Sequence, residues 1–334
     1  LSLTNGFGNA NTTVGGSGTL ALAGDGAFST GTGRLSNLEI GAGTVSVGGD
    51  SKFINIVYAG DGGVLDIGKT ASVSGNITVG EKNTVSGGEL IVSGTSASGK
   101  FKSGLQNLKK LTAENGAVLN FETSTQVGTS GGGLNLKNNA AAIIAADAVL
   151  SVGGDLGDSA SDSFVRGDGT LRLSDTVQVY SFLDGLKNLT VAGGNATLNK
   201  TSNVVGKVSV ASGAVLNFAG GAIQNGATIG GTLQINADTT LPTVSFESGK
   251  GELAISKNTT VFVTEDITVG SGSRLTALNG TGDTAGTLRL VGNANATFAM
   301  NDSDNFAGRV IIGAGTELLY TLIIQLLGRD KRYA

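Results

Sequence analysis

The sequence lacks cysteine, histidine and tryptophan, and its 334 residues include one proline and one methionine. Without cysteine the chain can form no disulfide framework. Without histidine or cysteine it can build no Ser–His or Cys–His nucleophile and no ordinary zinc, haem or iron–sulfur site. The scarcity of proline and the lack of a three-residue glycine period exclude a collagen helix. The enzyme and metalloprotein classes that depend on those residues are therefore excluded.

Charged residues are also scarce, at 14% of the chain, where soluble domains have roughly 25%. The net charge is −4 and the isoelectric point is about 5.0. This acidic balance argues against a general nucleic-acid surface. No apolar run approaches the roughly 20 residues of a membrane helix, so this segment is not expected to span a membrane.

Glycine is abundant, with 56 copies, and short apolar strands restart after it. Each unit has a turn glycine and then two large apolar residues two positions apart, which a β-strand places on one face. The units are GTLALAG at 18–24, GVLDIG at 63–68, GELIVSG at 88–94, GGLNLK at 132–137, GTLRLS at 169–174, GTLQIN at 231–236, GELAIS at 251–256 and GTLRLV at 286–291. Such repetition along the whole chain predicts stacked coils and not a sheet folded around a pocket.

A coil of about 20 residues cannot bury its own apolar face, but stacked coils can share a narrow core. We therefore predict an all-β fold, a parallel β-helix (a solenoid) of roughly 16 short-strand rungs forming a rod on the order of 75 Å long. Residues 1–308 would form the repetitive stack, and residues 309–334 a C-terminal capping or interface segment. The expected core includes the pairs Leu171 and Leu173, Leu233 and Ile235, and Leu288 and Leu290.

Three local features allow more than one interpretation. The alanine-rich segment 138–150 is predicted to form two short strands, although alanine favours helices. The segment 182–189 could hold a helical turn. Phenylalanines that recur near strand ends could stack into ladders or lie singly in the core, and they are Phe53, Phe121, Phe218, Phe246 and Phe298.

The segment DNFAGRVIIGAGTEL, at 304–318, is similar to the repeat N-x-[FY]-x-G-x-[TV]-x-[IV]-x-x-G-x-L. With the other units it makes nearly the whole chain resemble the passenger domain of Gram-negative autotransporter adhesins. The resemblance implies a right-handed β-helix that is exported across the outer membrane to the cell surface. It also implies binding to a surface receptor, a glycan or another copy of the chain.

The two ends of the chain depart from that family pattern. The sequence begins within a repeat, so we expect a processed or truncated segment. Where the family pattern leads into a translocator barrel, TLIIQLLGRDKRYA at 321–334 does not resemble the helical linker that precedes one. This tail could cap the core, contact another subunit or a downstream translocator domain, or be an addition to the natural chain.

Candidate sites are few, and no cofactor is expected. Asp302 and Asp304 alternate in a turn and are weak calcium candidates, because the rest of an EF-hand loop and the glycine-rich calcium repeat are missing. Polysaccharide cleavage would need paired carboxylates, with an arginine as base in a lyase. The candidates are Asp147, Asp155, Asp158, Asp168 and Asp175, with Arg166 and Arg172. Nothing in the sequence singles out a pair, so we expect the chain not to be an enzyme.

The functional expectation is an exported structural and adhesive rod whose polar lateral faces bind host, cell or matrix partners. A subunit that assembles into a surface layer or filament is the alternative. A polysaccharide-degrading β-helix is a third and weaker hypothesis.

Overall fold

A computed structural model describes the backbone and side chains of most of the chain. The described residues are 2–3, 15–28, 32–102, 105, 107–128, 133–247, 250–270, 272–298, 308–313 and 316–320, with backbone only for 2–3 and 317–320. The weak calcium candidates Asp302 and Asp304 lie outside the described residues, as does the tail at 321–334.

The described chain is an all-β parallel solenoid of about 14 turns, close to the number predicted. Neighbouring strands pair in parallel and each coil contributes short strands to separate columns. Partners in adjacent coils are 17 residues apart at Thr228 and Ser245 and 29 apart at Asp266 and Asn295, so the coil length varies. The predicted parallel β-helix is confirmed, and its right-handed winding, which the family resemblance implies, stays a prediction.

The chain divides into two compact units, of which the first comprises residues 1–206. Several of its strands are long and contribute to two columns, as when β7 pairs with β5 and then with β6. The strands are β1 Ser2–Leu3, β2 Gly16–Leu22, β3 Gly26–Phe28, β4 Arg34–Ile40, β5 Gly43–Val47, β6 Ser51–Tyr58, β7 Gly63–Val73, β8 Asn76–Val79, β9 Thr84–Ser93, β10 Ser98–Phe101, β11 Leu108–Glu114, β12 Val118–Phe121, β13 Thr125–Val127, β14 Leu134–Leu136, β15 Ala141–Ile144, β16 Val149–Val152, β17 Phe164–Leu173, β18 Val177–Val179, β19 Leu186–Val191, β20 Asn195–Leu198 and β21 Ser202–Val204.

The second unit comprises residues 207–334. Its strands are shorter and fall into three columns, and β22, β23 and β24 are the first strands of this unit in those columns. The strands are β22 Val208–Val210, β23 Val215–Phe218, β24 Gly221–Ile223, β25 Ala227–Ile229, β26 Thr232–Ile235, β27 Thr239–Leu241, β28 Val244–Phe246, β29 Gly251–Ser256, β30 Thr260–Val263, β31 Asp266–Val269, β32 Ser273–Leu278, β33 Thr287–Leu290, β34 Asn295–Phe298, β35 Arg309–Ile312 and β36 Glu317–Tyr320. One 3-10 turn, Gly282–Thr284, precedes β33.

The core follows the two-residue period of the strands. All six core residues predicted in pairs have 0% exposure, and they are Leu171, Leu173, Leu233, Ile235, Leu288 and Leu290. The intervening side chains point outward, because successive residues of a strand face opposite sides. The predicted register of the core is therefore confirmed for these three strands.

The ambiguous segments also have definite structures. The alanine-rich segment forms β15 and β16, so the prediction of two strands is confirmed. No α-helix occurs between residues 182 and 189, which hold a bridge, a turn and the start of β19. The rings of Phe101 and Phe121 stack at 5.5 Å, and those of Phe164 and Phe182 at 5.6 Å.

Candidate functional site

Two basic side chains lie side by side on the first unit. Arg34 begins β4 and Lys52 lies near the start of β6, and the two residues are register partners in adjacent coils. Adjacent strands are about 4.8 Å apart, so the two side chains leave the sheet in neighbouring positions. Both are exposed. Like charges directly opposite each other on a sheet are destabilising, which makes this pairing costly unless an anion accompanies it.

Serine hydroxyls lie beside the cation pair of Arg34 and Lys52, on the coils that follow Lys52. Ser72 is the register partner of Lys52 in the next coil. Together with Ser74 and Ser93 it lines a surface cavity of about 340 Å³ that also contacts Arg34 and Lys52. The Ser93 Oγ accepts a hydrogen bond from Asn115 Nδ2 at 3.0 Å, which leaves its own hydroxyl hydrogen able to donate. The cavity therefore presents two cations and several hydroxyl donors.

The two cations have no carboxylate partner in the described part of the chain. The ion pairs found there join other residues, such as Lys82 to Asp61 at 2.7 Å and Lys110 to Glu89 at 3.3 Å. None of them includes Arg34 or Lys52. The positive charge of this cavity is thus not neutralised by a described acidic side chain.

A ladder of asparagine side chains begins on β4 and β6, three residues C-terminal to Arg34 and Lys52, and continues onto β8 and β10. Asn55 Nδ2 donates to Asn37 Oδ1 at 2.9 Å, and Asn55 Oδ1 accepts the backbone N–H of Asn76 at 2.8 Å. Ser98 Oγ donates to Asn76 Oδ1 at 2.9 Å and extends the ladder to a fourth coil. These bonds hold the amide groups in a fixed row on the outer face of β4, β6, β8 and β10.

A second cavity, a groove of about 470 Å³, is lined by the asparagines of this ladder and by Tyr58, Val57 and Asn83. Val57 is 49% exposed, which is unusual for a large aliphatic side chain of this protein. The Tyr58 hydroxyl donates to the carbonyl oxygen of Thr84 at 2.9 Å, and burial raises the pKa of Tyr58. The groove therefore offers fixed amides, an aromatic side chain and an apolar patch, a combination that suits a small polar ligand.

The structure brings together only part of the carboxylate set predicted from the sequence. Asp155 and Asp175 line one surface cavity of about 490 Å³, together with Lys110. Asp155 Oδ1 accepts the N–H of Gln178 at 2.9 Å, and Asp175 Oδ1 accepts the N–H of Thr176 at 2.7 Å. Each of the two carboxylates therefore accepts a hydrogen bond from a backbone amide.

The other carboxylate and arginine candidates do not line that cavity, and they are Asp147, Asp158, Asp168, Arg166 and Arg172. Asp147 occupies a turn with φ 62°, and Asp158 Oδ1 accepts the N–H of Ala160 at 2.8 Å. Arg166 and Arg172 are both exposed on β17. The lyase arrangement envisaged from the sequence is not assembled from these residues in this cavity.

Aspartates elsewhere show a structural use for such carboxylates. Asp25, Asp184 and Asp238 each accept a backbone N–H from the neighbouring coil, at 2.7, 2.8 and 2.7 Å. A charge-assisted hydrogen bond of this kind satisfies an amide at the edge of a turn. The described residues contain no cluster of three or more His, Cys, Asp or Glu able to hold a metal ion, and no helix long and apolar enough to cross a membrane.

The basic pair was missed from the sequence because it depends on the strand register. The signal is nevertheless present as the shared pattern basic–apolar–x–Asn–apolar–x–apolar or aromatic, in RLSNLEI at 34–40 and KFINIVY at 52–58. Aligning these two segments as successive coils places Arg34 beside Lys52 and Asn37 beside Asn55.

No protein-family model, curated protein or solved structure matches the chain.

Proposed function

We propose that the chain is an exported structural and adhesive protein that binds partners at the cell surface through its polar lateral faces. The observation that carries this proposal is the asparagine ladder of β4, β6, β8 and β10, which holds amide groups in a row beside exposed Val57. The repeat pattern similar to autotransporter adhesins supports the export route. A Gram-negative outer surface is the location that this resemblance implies.

Adhesion is tested with beads coated with the chain and offered to cultured cells and immobilised extracellular matrix. Coated beads should bind more than albumin-coated beads. Val57→Glu places a charge in the apolar patch of the groove and should reduce binding. Gln126→Glu, at an exposed position of β13, is the matched control and should retain it. Equal binding by coated and albumin beads contradicts the adhesive role.

Location is tested separately on intact cells of the source organism. An antibody against the chain should label unpermeabilised cells, and external protease should remove the label. A chain that is detected only after the cells are opened would contradict export.

Self-assembly is a second candidate, favoured by the exposed strand β35. Ile312 on this strand is 49% exposed. A large aliphatic side chain that is exposed on the surface can pack against a second copy of the chain. Sedimentation over a range of concentrations should then reveal polymers that Ile312→Lys abolishes, whereas a monomer at every concentration excludes this alternative.

A further inference from the structure

We propose that Arg34 and Lys52 bind a single oxyanion group, a carboxylate or sulfate, on an otherwise neutral glycan. The inference rests on the proposed adhesive function and names its ligand class. Its basis is the register pairing of two exposed cations at the edge of a cavity of about 340 Å³.

The pairing itself argues for an anion. Two like charges on neighbouring strands repel each other, and no described carboxylate offsets them. An oxyanion between them would accept charge-assisted hydrogen bonds from both, and the planar guanidinium can donate two bonds to one group. In the complex, the attraction of Arg34 and of Lys52 to the oxyanion would outweigh the repulsion between the two cations.

The hydroxyl groups fit the remainder of the same ligand. Ser72, Ser74 and Ser93 line the cavity beside the cations and can donate to sugar oxygens or to the oxyanion itself. Ser74 Oγ makes a long contact of 3.5 Å to the carbonyl oxygen of Phe53, so its present bond is weak. These hydroxyls lie on the coils that follow Lys52, so they face the part of the glycan that extends from an oxyanion held between Arg34 and Lys52.

The charge of the whole chain limits how many anionic groups the ligand carries. The net charge is −4, so a dense polyanion would be repelled at long range. Nucleic acids and anionic membranes are bound through many phosphate contacts, and this cavity supplies two cations. A sugar chain with isolated acidic groups fits both facts better.

The test uses monosulfated lactose as probe and lactose as its neutral counterpart, with binding followed by isothermal titration calorimetry and by saturation-transfer NMR. The sulfated sugar should bind and lactose should not. The double variant R34Q/K52Q should lose roughly tenfold or more in affinity, as expected for lost hydrogen bonds to a charged group. It should keep its fold, because it removes a repulsion and no packing.

The matched control is K109Q/K187Q, which removes the same charge from two exposed lysines outside the cavity. Its affinity should change by about twofold or less, because distant surface charges are screened by salt. An equal loss in both double variants would overturn the proposal, since binding would then follow net charge alone.

Two further probes separate the sources of the anion. Inorganic sulfate should bind more weakly than monosulfated lactose, because it leaves the serine donors facing the sugar unused. Vesicles of equal parts phosphatidylcholine and phosphatidylserine should not bind. Tighter binding to sulfate or to vesicles overturns the glycan assignment.

Bead adhesion distinguishes this inference from the proposed function. If coated beads adhere but neither R34Q/K52Q nor monosulfated lactose reduces adhesion, the glycan inference is wrong and the adhesive function stands. If monosulfated lactose binds but coated beads do not adhere to any surface, the adhesive function is wrong and the oxyanion site stands.

Discussion

The two units contain the same hexapeptide, GAVLNF, at 116–121 and 213–218, but they turn their corners differently. In both copies the strand VLNF buries its leucine and phenylalanine, and the preceding glycine has a positive φ of 82° or 77°. In the first unit, however, strands such as β7 and β9 run on through a corner for 11 and 10 residues. Among the described residues of the second unit, the longest strands have 6 residues.

The difference shows that local sequence sets the strand and its inward face, whereas close backbone contact between coils sets how a corner is made. The ladder between β7 and β9 shifts register between Ile67 and Thr70, where Gly87 and Gly88 stand opposite. A side chain at Gly87 would place its Cβ 2.1 Å from the carbonyl oxygen of Ile67. Glycine there lets adjacent coils stay paired around the bend.

The largest effect is expected from breaking the shared feature, the apolar core. Leu233→Asp puts a charge at a position with 0% exposure in β26 and should cost roughly 3 to 5 kcal/mol. Because each coil contacts only its neighbours, hydrogen exchange should rise first in the coils around β26. Thermal denaturation measures the loss. Gln234→Asp, the outward neighbour, is the control and should cost about 0.5 kcal/mol or less. An unchanged melting temperature for Leu233→Asp would contradict the register.

The next largest loss of stability is expected at a glycine that closely contacts the adjacent coil, and it is compared with a glycine that has open space beside it. Gly87→Ala should destabilise by roughly 2 to 4 kcal/mol, because positive φ and overlap with Ile67 act together. Gly213→Ala should cost about 1 kcal/mol, because φ is 77° but nothing lies within 4 Å of the added Cβ. Urea unfolding of the two variants gives both values. Equal losses would show that the close approach at Gly87 does not matter.

Much of the fold could be predicted from the sequence, because alternation in strands is a local property. The core pairs and the strands β15 and β16 needed only the two-residue period and the turn residues. The unit GVLDIG at 63–68 was interpreted as a complete short strand, yet β7 continues to Val73. Its continuation depends on pairing with β6 and β9, which the local pattern does not contain.

The candidate site was harder to predict than the fold, because it arises from residues of different coils. Arg34 and Lys52 become neighbours only when the register is known. The carboxylates were recognisable as residues, but acceptance of backbone amides by Asp155 and Asp175 depends on turn geometry. Polar side chains in a solenoid can serve the backbone or a ligand, and composition does not distinguish the two uses.

A smaller loss of stability is expected when a carboxylate that joins adjacent coils is removed, and one such carboxylate is taken from each unit. Asp184 Oδ1 accepts both the backbone N–H and the side-chain amide of Asn203, whereas Asp238 Oδ1 accepts the N–H of Thr260. Alanine at either position should cost about 1 to 2 kcal/mol, with Asp184→Ala the larger loss. Asp168→Ala, at an exposed position of β17, should change stability by about 0.5 kcal/mol or less. Melting curves of all three variants provide the comparison, and losses as small as that of Asp168→Ala would contradict a structural role.

The smallest effect concerns Tyr58, which ties β6 to the following coil through its bond to Thr84. Burial raises the pKa of this phenol above its unfolded value of about 10. The folded state therefore binds the phenolic proton more tightly, and this contribution is fully present below pH 10 and is lost as the pH rises above it. Tyr58→Phe should cost about 1 kcal/mol or less near neutral pH, because it removes one hydrogen bond. It should also weaken the fall in stability above pH 10. Parallel pH dependences of wild type and Tyr58→Phe in urea unfolding would show that this phenol does not titrate differently in the folded chain.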